Sequence, residues 1–174
     1  LMSFDDGYVS FASNVVPILE FYNCPALLAI CSFWVEEKPP EDITASVMSW
    51  EQIKKVSEHP LVTIASHSHN LHRAIQYNPQ GNTSQAATSR MYLPKEERYE
   101  TQKEYEVRVN ADIELSRKIL GERTGKTPDI MVWPYGEYNK LTLESAKRNG
   151  FKMSFGLSDL RTVTDDIMEL DRWL

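Results

Sequence analysis

The chain has 174 residues, enough for one domain with a substantial core, and its 41% hydrophobic and 25% charged residues are ordinary for a globular protein. A formal net charge of −6 argues against a nucleic-acid binder, which would carry a basic face. No apolar run approaches the length of a membrane span, and no signal-peptide pattern opens the chain. The first residues already read as a core strand and Trp173-Leu174 ends abruptly. Residues 1–174 are therefore expected to form one domain of a longer chain, with any targeting information outside them.

In chain order, Ser3-Phe4-Asp5-Asp6-Gly7-Tyr8 places two adjacent carboxylates after an apolar lead-in. If residues 1–4 form a strand, Asp5 and Asp6 stand at its carboxyl end with alternating directions, and Gly7 permits a sharp exit. An Asp-Asp-Gly surface turn is the plainer alternative for this stretch. Residues 13–22 carry Val15, Val16, Ile18, Leu19 and Phe21 at helical spacing, with Pro17 requiring a start or a bend near Val16. Residues 26–31 read as a strand buried on both faces. Cys24 and Cys31, at its two ends, are too far apart along a strand for a disulfide and are expected free and buried. Residues 32–47 read as a loop around Lys38-Pro39-Pro40.

Ser49 and Gln52 form a capping box opening a helix to about His59, with Pro60 as its stop. Residues 61–65 read as the next strand, running into Ser66-His67-Ser68-His69-Asn70-Leu71-His72. Residues 76–100 are polar and long for a connection, with a turn signal at Asn78-Pro79-Gln80-Gly81-Asn82; a loop of that length is expected to be functional or mobile. Thr101 and Glu104 form a second capping box. The helix it opens has Tyr105, Val109, Ile113, Ser116 and Leu120 on one stripe, with Gly121 as expected terminator. A strand at 130–133 ends at Pro134-Tyr135-Gly136, a helix spans 141–149, and a strand spans 153–157. Strands alternating with amphipathic helices predict an α/β fold with a parallel sheet, open or closed into a barrel. Asp5-Asp6, the 67–72 segment and Trp133-Pro134-Tyr135 all follow predicted strands, so they share one sheet edge, where α/β folds place their active sites.

One carboxylate and two neutral imidazoles facing an open position suit a catalytic divalent cation. Asp6 can supply the carboxylate. His67 and His72 cannot chelate from one helix, being about 140° apart around it, but a turning loop can bring them together. His69 with His72 would suit a helical turn instead. His67 is preferred because it stands at the strand end; His69 then reads as a solvent-facing loop residue and His59 as a helix C-terminal residue.

Ser-Phe-Asp-Asp-Gly resembles the first motif of the NodB-type polysaccharide deacetylases, carbohydrate esterase family 4. His67-Ser68 with His72 resembles their second, with four residues between the histidines where three are usual. That longer spacing, Trp133-Pro134-Tyr135-Gly136 and Val16-Pro17-Ile18-Leu19 are similar to the branch that deacetylates poly-β-1,6-N-acetylglucosamine, the biofilm exopolysaccharide. The resemblance implies a distorted or incomplete (β/α) barrel of the NodB-homology type. It implies one divalent ion (zinc, or nickel, cobalt or iron) on Asp6, His67 and His72, Asp5 as general base and the Tyr135 backbone N–H as an oxyanion donor. It also implies a polysaccharide substrate met by Tyr8, Trp133 and Pro134, and a periplasmic, outer-membrane-attached or extracellular location, with a further domain or export-machinery partner outside this chain. Two departures stand out. The position of the family's base-steering arginine is Val132, and no histidine follows His72 to serve as general acid; in the exopolysaccharide branch that histidine lies upstream of the first motif. A metal-dependent phosphoesterase is the rival enzyme, short here of ligands for a second ion and of basic residues for phosphate. A sugar-binding domain on a decayed scaffold is the non-enzymatic rival.

Overall fold

The computed structural model describes residues 2–41, 43–157 and 166–172. Six strands, β1 (Met2–Phe4), β2 (Ala26–Ile30), β3 (Val62–Ser66), β8 (Ile130–Val132), β9 (Met153–Leu157) and β10 (Leu170–Arg172), lie in that order in one sheet. Every pairing between neighbours is parallel. Between β3 and β8 the chain forms two small antiparallel hairpins, β4 (Ala74–Gln76) with β5 (Thr83–Gln85) and β6 (Tyr92–Leu93) with β7 (Arg98–Tyr99). The sheet curls until its two edges meet, since Arg172 of β10 reaches both Ser3 of β1 and the adjoining Asp5. This is the distorted, incomplete barrel expected for the fold class.

Period-two alternation divides the strand side chains between the inside of the barrel and its helix-covered outside. Leu27 and Ala29 of β2, Ala65 of β3, Val132 of β8 and Phe155 of β9 pack together inside the barrel. The alternate residues face outward under helices. Ala26, Leu28, Ile30, Val62 and Ile64 pack with Leu19 of α1 (Val16–Tyr22) and with Ile53 and Val56 of α3 (Trp50–Ser57). Met131 and Trp133 pack with Tyr105, Val109 and Ile113 of α4 (Gln102–Thr124) and with Leu143 and Ala146 of α5 (Lys140–Arg148). Both expected capping boxes form, at Ser49/Gln52 and Thr101/Glu104.

Several local expectations change. A wide helical turn, Phe11–Val15, precedes α1, which starts at Val16 with Pro17 in its first turn. Only Leu19 of α1 is buried; Ile18 and Phe21 lie on the other side of a helix just two turns long and face solvent. Residues 32–47 are not wholly loop: α2 (Ser32–Glu36) forms ahead of the prolines and buries Trp34. Helix α4 runs through Gly121 to Thr124 and ends on left-handed Gly125 (φ 77°). Gly121 instead gives room to Thr127, whose hydroxyl would lie 2.9 Å from a Cβ there. Cys31 is buried and free as expected, whereas Cys24 is half-buried.

The 76–100 segment is a fastened strap rather than a mobile loop. Arg108 donates to both oxygens of buried Glu100 (2.8 and 2.9 Å) and to the carbonyls of Ala86 (2.8 Å) and Ser89 (2.9 Å). Tyr105 donates its hydroxyl to Ala87 at 2.6 Å, and Ala86 and Ala87 are fully buried. Small residues and backbone carbonyls do the anchoring, which is why the segment reads as polar and loose.

Candidate metal and catalytic site

The ends of β1, β3 and β8 converge at one rim of the barrel, and each leaves its strand through a left-handed residue: Asp6 (φ 71°), Ser68 (φ 66°) and Tyr135 (φ 58°). Non-glycine residues rarely adopt this conformation, and strain of this kind gathers at functional sites. Beyond β8 the motif is pressed against β9. A Cβ on Gly136 would lie 2.6 Å from the Leu157 backbone nitrogen, so only glycine fits there.

Asp6 Oδ1 lies 3.6 Å from His67 Nε2 and 3.9 Å from His72 Nε2. Ligand atoms of the three residues all fall within 4.8 Å of one another, a group that could hold a metal ion. The donors fit a divalent cation on three counts. His67 is buried, and its Nδ1–H donates to the Val132 carbonyl at 2.8 Å, which leaves the Nε2 lone pair facing Asp6. Burial lowers the pKa of both His67 and His72, keeping the rings neutral as ligands must be. Asp6 Oδ1 is buried and accepts no hydrogen bond among the described residues, a costly state for a carboxylate without a cation. Burial also raises the Asp6 pKa, opposed by His67 and by the hydrogen bond from Tyr8. Tyr8 itself is pushed up to about 12 by burial and by the charge of Asp6.

Asp5 points beside this group, with Oδ2 4.0 Å from His67 Nε2. Arg172 grips it with both guanidinium nitrogens (2.7 and 2.8 Å) and also donates to Ser3 Oγ at 3.0 Å. Burial alone would raise the Asp5 pKa. The Arg172 hydrogen bonds and guanidinium charge oppose it, and the carboxyl is held below its usual range. Arg172 thus grips Asp5 where the valine at 132 has no cationic group to do so, and sequence reasoning missed it. The local signal was one arginine alternating with Leu170 in a short strand; its partner is 167 residues away.

The 133–135 motif divides differently from expectation. Trp133 is fully buried on the helix-facing side, donating its indole N–H to Ser154 at 3.0 Å, and Pro134 is buried too. Both belong to the core rather than to a substrate surface. Tyr135 is the exposed aromatic, and its ring stacks on His72 with centroids 4.5 Å apart, while Trp34 packs edge-on against the same imidazole. Beside His72 opens a cleft of about 400 Å³ lined by Phe33, Pro39, Pro40, Asn70 and Arg73. His69 is not solvent-facing: it is half-buried, with Nδ1 3.0 Å from Ser32 Oγ. His59 lies just past α3 at the opposite end of the sheet, 3.0 Å from Glu20.

Comparison with known proteins points the same way. The chain is 33% identical over 165 residues to the poly-beta-1,6-N-acetyl-D-glucosamine N-deacetylase of Escherichia coli (strain K12), an alignment covering 90% of this chain and 25% of that protein. The protein of the same name from Staphylococcus aureus (strain N315) is 25% identical over 158 residues, covering 91% of this chain and 47% of its own length. The chain thus spans between a quarter and about half the length of these curated relatives. Among solved structures, a de-N-acetylase from Aggregatibacter actinomycetemcomitans matches with a TM-score of 0.90 at 34% identity, covering 100% of this chain and 69% of that one. The BpsB deacetylase domain from Bordetella bronchiseptica matches with a TM-score of 0.90 at 36% identity, covering 98% and 69%. The polysaccharide deacetylase family model matches residues 1–154, and on that span this chain belongs to the polysaccharide deacetylase family.

Proposed function

We propose that this domain removes N-acetyl groups from poly-β-1,6-N-acetylglucosamine, with one divalent ion held by Asp6, His67 and His72. The observation that carries the reading is the pairing of two unlike carboxylates. Asp6 faces the imidazoles with an unpartnered oxygen, while Asp5 is held ionised beside them by Arg172. The names of the relatives supply the polymer. The donor set suits zinc, and equally nickel, cobalt or iron.

A bound cation supplies Lewis-acid polarisation of the acetamide carbonyl and acidifies water. The chain's residues do the rest. Asp5, ionised and fixed in direction, accepts the proton of the attacking water. The Tyr135 backbone N–H, turned by its left-handed conformation, donates to the developing oxyanion. His67 and His72 stay neutral, and the Tyr135 ring shields His72 from bulk water. Tyr8 orients Asp6 through its hydroxyl. The polymer is met outside the cytoplasm, so this reading carries a periplasmic, outer-membrane-attached or extracellular location with it.

A 1,6 link adds a rotatable bond, so the polymer binds at an ordering cost and slow turnover with weak affinity should accompany the right linkage. The test assays β-1,6- and β-1,4-linked N-acetylglucosamine oligomers side by side, with metal added, by release of free amine. Preference for the 1,6 series is expected. Preference for the 1,4 series would move the protein to chitin-type or peptidoglycan substrates, and no activity on either would favour a sugar-binding role.

A further inference from the structure

Four residues separate His67 from His72, and no covalent constraint sets the distance between the two rings. Hydrogen bonds from three sides do so. Above β3, Ser68 donates its backbone N–H to Ser66 Oγ (3.1 Å), and Leu71 donates to Ser68 Oγ (3.2 Å). From α2, the Ser32 and Phe33 N–H groups donate to the carbonyls of Ser68 (3.3 Å) and His69 (3.2 Å). The third side is Asp112 of α4. Its Oδ1 accepts the His69 N–H at 2.9 Å and its Oδ2 accepts the Asn70 N–H at 2.7 Å. Ser116, one helical turn further along the same face, meets Ser66 Oγ at 2.6 Å.

The turn is thus polarised between two supports, its N–H groups toward a carboxylate and its carbonyls toward the start of a helix. The Arg73 Nε–H, next in sequence, donates to the Asn70 carbonyl at 3.1 Å from an exposed position; of the contacts from elsewhere in the fold, the Asp112 pair alone carries a charge on a side chain, and charge-assisted bonds are about twice as strong as neutral ones. Both oxygens are engaged, so the position requires a carboxylate: a carboxamide would turn an N–H₂ group toward one of the two backbone donors. Asp112 touches neither imidazole.

We propose that Asp112 is the positioning residue of the metal-binding turn, setting the separation of His67 and His72 through the backbone between them. This rests on the metal-site reading above. The test is Asp112→Asn in the full chain, with zinc affinity measured by competition against a chromophoric chelator and folding of the metal-free protein followed by circular dichroism. A loss of about 10- to 100-fold in zinc affinity with a native metal-free spectrum is expected, the usual effect of removing an outer-shell partner. Glu100→Gln serves as the control: it breaks the Arg108 pair and lowers stability, but should leave zinc affinity unchanged. Unchanged affinity in Asp112→Asn, or an equal loss in Glu100→Gln, overturns the inference. If Asp112→Asn does not fold, Asp112→Glu decides on the same criteria, since it keeps the charge and displaces both oxygens. A wild-type chain that binds no zinc overturns the metal-site reading, and this inference with it, whereas a binding wild type with an equally binding variant overturns this inference alone.

Discussion

The strap and the site are both built from charged groups at the margin of the core, and they treat those groups in opposite ways. At the strap, both carboxylate oxygens of Glu100 are bonded, Arg108 serves four acceptors, and the Met91 N–H adds a further bond to Glu100. At the site, Asp6 Oδ1, His72 Nδ1 and Arg172 Nε are buried without hydrogen-bond partners among the described residues, and three strand ends leave through left-handed residues. None of the buried unpartnered polar atoms among the described residues belongs to the strap. Between these two regions polar satisfaction differs although both look equally polar; elsewhere among the described residues Trp50 Nε1 of α3 is the other buried polar atom without a partner.

This contrast can be broken from either side. The largest free-energy change is expected from Arg108→Ala, which strands Glu100: about 3–5 kcal/mol of stability should be lost, as for other broken buried pairs. Denaturant melts measure it, and zinc affinity should not move. Next comes Asp5→Asn, expected to fold and keep the metal while losing about 100-fold or more of kcat on an acetylated glucosamine oligomer, the usual worth of a general base. Survival of activity would make Asp5 structural. Arg172→Gln should cost roughly ten- to hundredfold, the worth of hydrogen bonds to a charged group. Because Arg172 lowers the Asp5 pKa, its loss raises that pKa, and the acidic limb of the kcat/KM profile should move to higher pH. The smallest effect concerns acid stability. Burial alone would raise the Glu100 pKa, but the hydrogen bonds it accepts from Arg108 and the Met91 N–H prevail and hold it below the ordinary glutamate range. Its contribution is thus present above the unfolded pKa and lost as pH falls through the folded one. Glu100→Gln should flatten that part of the pH–stability curve.

The parallel sheet was legible because each buried strand is a short apolar run closed by turn residues, and the convergence of Asp5-Asp6, His67 and Tyr135 follows from topology alone. The resemblance puts Trp133 against substrate, although its parity with Met131 already places it on the helix-facing side of β8. Helix α2 was hidden by the prolines that follow it, and the strap by anchors that are alanines and backbone carbonyls. Arg172 and Asp112 could not be read locally, since each acts on a partner brought near only by the closed fold: one across the barrel seam, the other from a helix face onto backbone amides.

The most direct measurement is anomalous diffraction from crystals of the full chain grown with zinc. The account predicts one peak about 2.0–2.2 Å from a carboxylate oxygen of Asp6 and from ring nitrogens of His67 and His72, the usual range for zinc, with Asp5 off the ion and still held by Arg172. A peak ligated by His69 with His67 turned away, or no peak among these side chains, would contradict it.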